Sequence, residues 1–289
     1  MLKSYRKIFI KRYLVRLFRL SVILTALCFM LLFLIFPLVV VFYNSFKEGV
    51  SVYANNIIRK DTIDAVILTL KILLIVVPLN TLFGIACAWY VTRYSFRGKR
   101  LLLTLLDLPF TVSPVVAGTV FVLLFSVNGL LGSLIEKWNI QIIFAFPGMV
   151  LATLFVTFPF VARELIPIME EQGQEMEEAG RMLGANGLQI LLKITLPNIR
   201  WALFYGIILC SARSIGEFGA VSVVSGHIRG KTITVPLEVE ILYNEYNLTG
   251  AFCVASLLCF IGIITMILRK WIENKDPLIK YREGSRYGD

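Results

Sequence analysis

Six long apolar stretches, separated by short clusters of charge, set the plan of this chain. A helix that crosses a bilayer needs roughly 20 apolar residues. The runs at 20–46, 62–92, 101–125, 142–162, 201–224 and 248–268 meet that requirement and predict six spanning helices in an all-α membrane protein. Between the fourth and fifth runs lies a stretch of opposite character. Residues 170–197 read EEQGQEMEEAGRMLGANGLQILLKITLP, and five of the first nine are glutamate. Met176, Ala179 and Leu183 recur at helical spacing and predict a short amphipathic helix. Gly184-Ala185-Asn186-Gly187 has the composition of a helix stop and turn. Leu188, Leu191 and Leu192 begin a second short helix, which Pro197 is expected to end, bending the chain into the fifth span. The small residues Ala179, Gly180 and Gly184 leave a shallow surface that a partner's backbone can approach. Ordering a polar hairpin of this length between membrane segments costs conformational entropy that a gripping partner offsets. Anionic lipid would repel its acidic face.

Composition narrows the class. Of 289 residues 57% are apolar and 17% charged, with mean hydropathy +0.78. That is the profile of a polytopic membrane protein. The net charge of +10 does not point to nucleic acid, because the basic residues cluster beside the apolar runs. Lys and Arg number 21 in the N-terminal segment, the second loop, the Glu-rich loop and the tail, against six in the alternate loops. The positive-inside rule therefore puts both termini and the Glu-rich hairpin in the cytoplasm. The expected organisation is a basic segment over 1–19, one transmembrane domain over 20–271 with the hairpin inserted at 170–197, and a tail over 272–289. No cleavable signal peptide is evident. Cys28, Cys87, Cys210, Cys253 and Cys259 fall inside apolar runs without pairing or metal spacing, and read as small packing residues.

Two charges interrupt the fifth run. Arg213 and Glu217 are four apart and share one face of a continuous helix, where Ser211, Ser214, Ser222 and Ser225 add hydroxyls. Charged groups inside a membrane face a bundle interior or a water-filled path. Arg before Glu is the weaker order for an intrahelical pair, so partners on other helices are expected. The alternative is a self-satisfied ion pair that only locks packing. Arg213, Ser214, Glu217 and Ser222 are the candidate path or gate residues. Lys71 and Asp107 lie within a few turns of helix ends and read as snorkelling side chains. His227, the only histidine, sits in a predicted outer loop without companion ligands. The run from Gly226 to Thr232 is one residue too short for a phosphate-binding P-loop. No nucleophile–base pair or nucleotide fingerprint stands out, so the chain is expected to be non-catalytic and to bind no cofactor or metal.

The hairpin carries a resemblance. Glu178-Ala179-Gly180, then Gly184, then Ile194-Thr195-Leu196-Pro197 is similar to the EAA signature of ABC importer permeases, with Gly180 where alanine is usual. The stretch Arg213 to Gly226 is similar to the sulfate and molybdate branch, and Gly226 to Thr232, Leu237 to Asn247 and Asp107 to Gly118 resemble its W-type sulfate/thiosulfate subunits. The resemblance covers about 62–271. It implies a type I ABC importer permease in a bacterial inner membrane, with a coupling helix formed by Glu177, Glu178, Ala179, Gly180, Gly184, Ala185, Leu196 and Pro197. It also implies a second, similar permease subunit, two ATPase subunits that hold ATP and Mg, and a soluble sulfate- or thiosulfate-binding protein. A molybdate or tungstate permease, or a stand-alone secondary anion transporter, are the competing readings.

Overall fold

A computed structural model describes residues 2–127, 129–132, 137 and 140–273, with side chains from residue 16 to 272 among these. Lys275, Lys280, Arg282 and Arg286 of the basic tail lie outside the described residues. Every regular element among the described residues is helical. Five helices are long and apolar enough to cross a membrane, and a sixth span counts if one bent pair is taken as a unit.

The first run forms α1 (Leu2–Met30), which passes through a π-turn at Leu31–Ile35 into α2 (Phe36–Phe46). None of the apolar window of this span is buried within the chain. A short helix, α3 (Val50–Ile58), leads to α4 (Lys60–Arg93), the central rod of the fold. At 34 residues α4 is about 51 Å long. Its buried stripe runs through Ala65, Thr69, Ile72, Val76, Asn80, Gly84 and Ala88, the three-and-four spacing of one helix face.

The third apolar run is not one straight helix. It divides into α5 (Lys99–Thr111) and α6 (Pro114–Phe125), bent by 106°. Pro114 is the cause, since proline drives the residue before it out of the helical region. Ser113 sits at ψ 134° and Val112 at ψ 131°. The fourth run forms α7 (Phe146–Thr157) and α8 (Pro159–Gln172), so the helix runs well past residue 162 and takes in the first two glutamates of the expected hairpin. After the hairpin helix α9 (Glu175–Met182), α10 (Gly187–Ile190) continues through a second π-turn into α11 (Leu196–Ile215). Two short helices, α12 (Gly219–Val224) and α13 (Val235–Asn244), precede the last span, α14 (Leu248–Glu273).

Pro197 therefore does not end the second hairpin helix. A proline inside a helix clashes with the carbonyl four residues back. For Pro197 that residue is Lys193, at the centre of the π-turn Leu191–Thr195; for Pro37 it is Phe33, at the centre of Leu31–Ile35. The wider turn relieves the clash and lets the helix run on. In lipid, helices associate through close packing rather than apolar burial. Gly84 supplies such a contact between α4 and α8: a Cβ there would lie 2.6 Å from Val161 Cγ1 and 3.0 Å from the backbone nitrogen of Ala162.

Candidate functional site

The hairpin has an inner face and an outer face, and different chemistry on each. On the inner face Glu177 is 4% exposed. Its Oε2 accepts from Arg93 Nε at 2.9 Å, its Oε1 lies 2.9 Å from Arg93 Nη2, and Oε1 also accepts from Thr195 Oγ1 at 2.8 Å. Arg93 spends a further donor on the carbonyl of Met169 at 3.1 Å. One bidentate, buried ion pair thus ties the last residue of α4, the end of α8, the hairpin helix and the returning helix together. Fork-to-carboxylate geometry of this kind is the strong form of an ion pair. Glu177 accordingly turns toward its own chain.

Gly180 also faces inward. A Cβ at 180 would lie 2.6 Å from Ile194 Cδ1, so glycine here lets the returning helix press against α9. The departure from alanine is a packing feature of the hairpin, and Gly180 is not part of a surface open to a partner backbone. Gly184 has φ +85° with nothing within 4 Å of a Cβ. It ends α9 in a Schellman turn: Gly184 N–H donates to the Arg181 carbonyl at 2.9 Å and Ala185 N–H to the Gly180 carbonyl at 3.0 Å. Asn186 then opens α10 with a reciprocal capping box. Its Oδ1 accepts from Gln189 N–H at 2.9 Å, and Gln189 Oε1 accepts from Asn186 N–H at 3.0 Å. Four local bonds fix the turn.

The outer face carries Glu178 and Ala179, both exposed, with Met176, Leu188 and Leu192 more than half exposed and Met182 and Leu183 each 89% exposed. Pro197 is exposed, while Ala185 and Leu196 are half-buried. An apolar patch rimmed by acid, on a rigid turn, is the signature of a protein contact surface.

The second cluster lies where the fifth run breaks. α11 stops at Ile215, and Gly216–Phe218 separate it from α12. Among the described residues Arg213 and Glu217 form an ion pair with each other across this break, Nη1 to Oε2 at 2.6 Å, and not with side chains on other helices. The other carboxylate oxygen accepts the Ala220 N–H at 2.8 Å. The pair fits the local fields: a cation at the C-terminal end of α11, an anion at the N-terminal end of α12. Glu217 is 2% exposed, while the Arg213 side chain is 34% exposed. Ser214 is buried in a polar knot beneath the break. Its Oγ donates to the Cys210 carbonyl at 2.7 Å and lies 3.4 Å from Thr157 Oγ1, which accepts from Asn80 Nδ2 at 2.8 Å. Ser222, half-buried, donates to the Gly219 carbonyl at 3.0 Å. Half-helices that meet at a break are where transporters build their paths.

Asp107 does not simply reach for an interface. It pairs with Arg163 of α8, whose Nε donates to Oδ1 at 2.9 Å. At the far end of α4, Arg59, Asp61, Arg229 and Glu245 form a charge network. It approaches the fully buried Glu238, with Arg59 Nη2 at 3.9 Å from its Oε1. The patterns that identify these pairs are not periodic in sequence, so sequence reasoning passed over the Arg93–Glu177 clasp and Glu238 alike.

Known proteins agree with this architecture. Residues 80–275 match the family described as "Binding-protein-dependent transport system inner membrane component". The sulfate transport system permease protein CysW of Escherichia coli K12 is 50% identical over 254 residues, covering 86% of this chain and 87% of that one. CysW of Synechocystis sp. PCC 6803 is 49% identical over 250 residues, covering 86% and 91%. A solved bacterial alginate ABC transporter, in complex with an alginate-bound periplasmic protein, superposes with a TM-score of 0.73 at 14% identity, covering 91% of this chain and 94% of that one. The protein is thus a multi-pass member of the inner-membrane components of binding-protein-dependent transport systems, the permeases of ABC importers.

Proposed function

We propose that this chain is the W-type permease subunit of an ATP-driven sulfate or thiosulfate importer, and that its hairpin is the coupling element. The observation that carries the reading is the two-faced hairpin. Its outer face offers Glu178, Met182 and Leu183 to a cytoplasmic ATPase. Its inner face is clasped through Glu177 and Arg93 to α4 and α8. A push on the outer face reaches the membrane helices without loss in a flexible joint. The kinship to CysW proteins supports sulfate as the cargo class.

In this reading both termini and the hairpin are cytoplasmic, following the Lys/Arg asymmetry. Two ATPase subunits hold ATP and Mg and perform the hydrolysis, and this chain binds neither. The first span, whose apolar window buries nothing within this chain, seats against a second permease subunit. A soluble binding protein delivers the anion to the opposite end of the bundle; the solved alginate transporter is likewise in complex with a periplasmic protein that holds alginate. The break at 216–218, held by Arg213 and Glu217 and bordered by Ser222, flanks the path, with Ser214 ordering the helices behind it.

The test is isolation of the intact complex from membranes, identification of its subunits, and measurement of which loaded binding protein stimulates ATP hydrolysis. Sulfate or thiosulfate is the expected stimulant. Stimulation by molybdate alone moves the protein to the neighbouring branch, and a chain that transports without an ATPase is a secondary transporter. Glu178→Lys and Gly184→Asp are expected to leave the spans inserted while the ATPase is lost from pull-downs and uptake falls. Normal retention of the ATPase and normal uptake in both would sink the hairpin as the coupling element.

A further inference from the structure

Lys71 is the one basic residue in the interior of α4, between Lys60 and Arg93 at its ends. By helical rise it lies about 16 Å from the start and about 33 Å from the end, well inside the span. It stands on the face opposite the buried stripe, exposed, among Ile67, Leu70, Leu74 and Pro78. Within the described residues no ion pair or hydrogen bond engages its ammonium. Asp64, two turns away on the same face, is about 10 Å along the axis, too far to pair. An ammonium surrounded by Ile and Leu on a lipid-facing surface would be costly.

The surroundings suggest a different neighbour. Lys71 lines an open-sided recess of about 510 Å³. The wall across from α4 contributes Ser211 of α11, one turn before the break at Gly216–Phe218. Ser211 Oγ now donates to the Ile207 carbonyl of its own helix at 2.7 Å. That bond is exchangeable, because a hydroxyl rotates to any acceptor of equal strength. The recess thus holds an unpaired cation with three donors and a hydroxyl, in an otherwise apolar wall beside the broken span.

We propose that Lys71, with Ser211, is a contact point for the oxyanion inside the translocation path. The proposal rests on the reading of the protein as a sulfate-class permease and names a residue of that path. A tetrahedral dianion takes hydrogen bonds from the ammonium and the hydroxyl together. The scarcity of other polar groups suits transit: a path site must hold its ion well enough to admit it and loosely enough to release it. A second permease subunit closing the open side would complete the enclosure.

The test uses the assembled importer in membrane vesicles. Lys71→Gln is expected to lower sulfate uptake by about tenfold, the weight of one charge-assisted hydrogen bond. Stimulation of ATP hydrolysis by the loaded binding protein should persist, because Lys71 is remote from the hairpin. Lys71→Arg should recover most of the uptake. Independently of transport, Lys71→Cys should react with membrane-impermeant charged thiol reagents, more slowly in the presence of sulfate, with the parent chain as the blank for its five cysteines. Wild-type uptake in Lys71→Gln, or reaction of Lys71→Cys only with lipid-soluble maleimides, overturns the proposal and returns Lys71 to the lipid boundary. A wild-type complex that moves no sulfate overturns the sulfate reading itself, and this inference with it.

Discussion

Two arginine–carboxylate pairs sit in very different regions of this molecule. At the hairpin, Arg93 and Glu177 are 84 residues apart in sequence, both almost wholly buried, and joined in fork geometry with Thr195 and the Met169 carbonyl completing the shell. At the broken span, Arg213 and Glu217 are four residues apart, the arginine is a third exposed, and the carboxylate divides itself between its partner and one backbone N–H. The first pair joins the hairpin to two helices that also pack on each other, through Gly84 on Val161. The second splints a local break. In the proposed coupling the long-range pair would carry a displacement of the hairpin to α4, while the local pair holds two helix ends in register.

The largest effect should come from breaking the first pair on one side. Glu177→Ala leaves a buried guanidinium without its counter-charge, with only the Met169 carbonyl still accepting from it, a loss of about 3–5 kcal/mol. A marked fall in the unfolding midpoint of the purified permease, together with loss of coupling, is the expected result. Replacing both partners by apolar residues, Arg93→Met with Glu177→Leu, should recover much of the stability but not the coupling. Recovery of both would mean that the clasp only fills space.

Glu217→Gln should cost less, about 1–2 kcal/mol. The amide oxygen still accepts the Ala220 N–H, and the partly exposed Arg213 keeps some solvation. The complex should assemble while anion uptake falls. A loss as large as that of Glu177→Ala, seen as failure to assemble, would erase the distinction between the two regions. Full rescue of assembly and uptake together by exchanging the two charges would make this pair structural alone.

The turn comes next. Gly184→Ala forces an alanine to φ +85° without any clash, at about 1 kcal/mol. Asn186→Ala removes the cap of α10 at about 1 kcal/mol. Both shifts are to be read from thermal unfolding, and their effect on ATPase retention should follow their effect on the turn.

The smallest effect concerns a third carboxylate. Among the described residues Glu238 has one ion-pair partner, Arg59 at 3.9 Å. Burial pushes its carboxyl above the ordinary 4.5, against the pull of Arg229 and Arg59. A raised carboxyl value favours the neutral form in the fold. Its contribution is therefore present in acid and lost as pH rises through the folded value. Glu238→Gln should remove that part of the pH dependence, flattening the unfolding midpoint between acid and neutral pH. An unchanged pH profile would place the titration elsewhere.

How much of this was legible beforehand varies with the range of the interaction. Apolar run length located the spans, because a bilayer imposes its thickness on any helix that crosses it. It did not reveal the 106° bend at Ser113, although Pro114 was in view, since a proline in the middle of an apolar run can also merely kink a helix that carries on. Pro197 invited the opposite error. A π-turn absorbed it, as another absorbs Pro37 in the first span, and the identity of the residues before the proline does not announce that outcome.

The hairpin divides along the same line. The order of Gly184 and Asn186 by itself determined a stop, a turn and a new helix, because Schellman turns and capping boxes close within six residues. The sequence alone likewise determined a membrane protein of several spans and the polarity of its charges. Which glutamate faces inward, that Gly180 packs on Ile194, that Arg213 keeps Glu217 for itself, and that Lys71 shares a recess with Ser211 were decided only by the tertiary structure. The physical reason is that these are choices among several partners of equal chemistry. Only the packing of α4 against α8 and α11 brings one of them within reach.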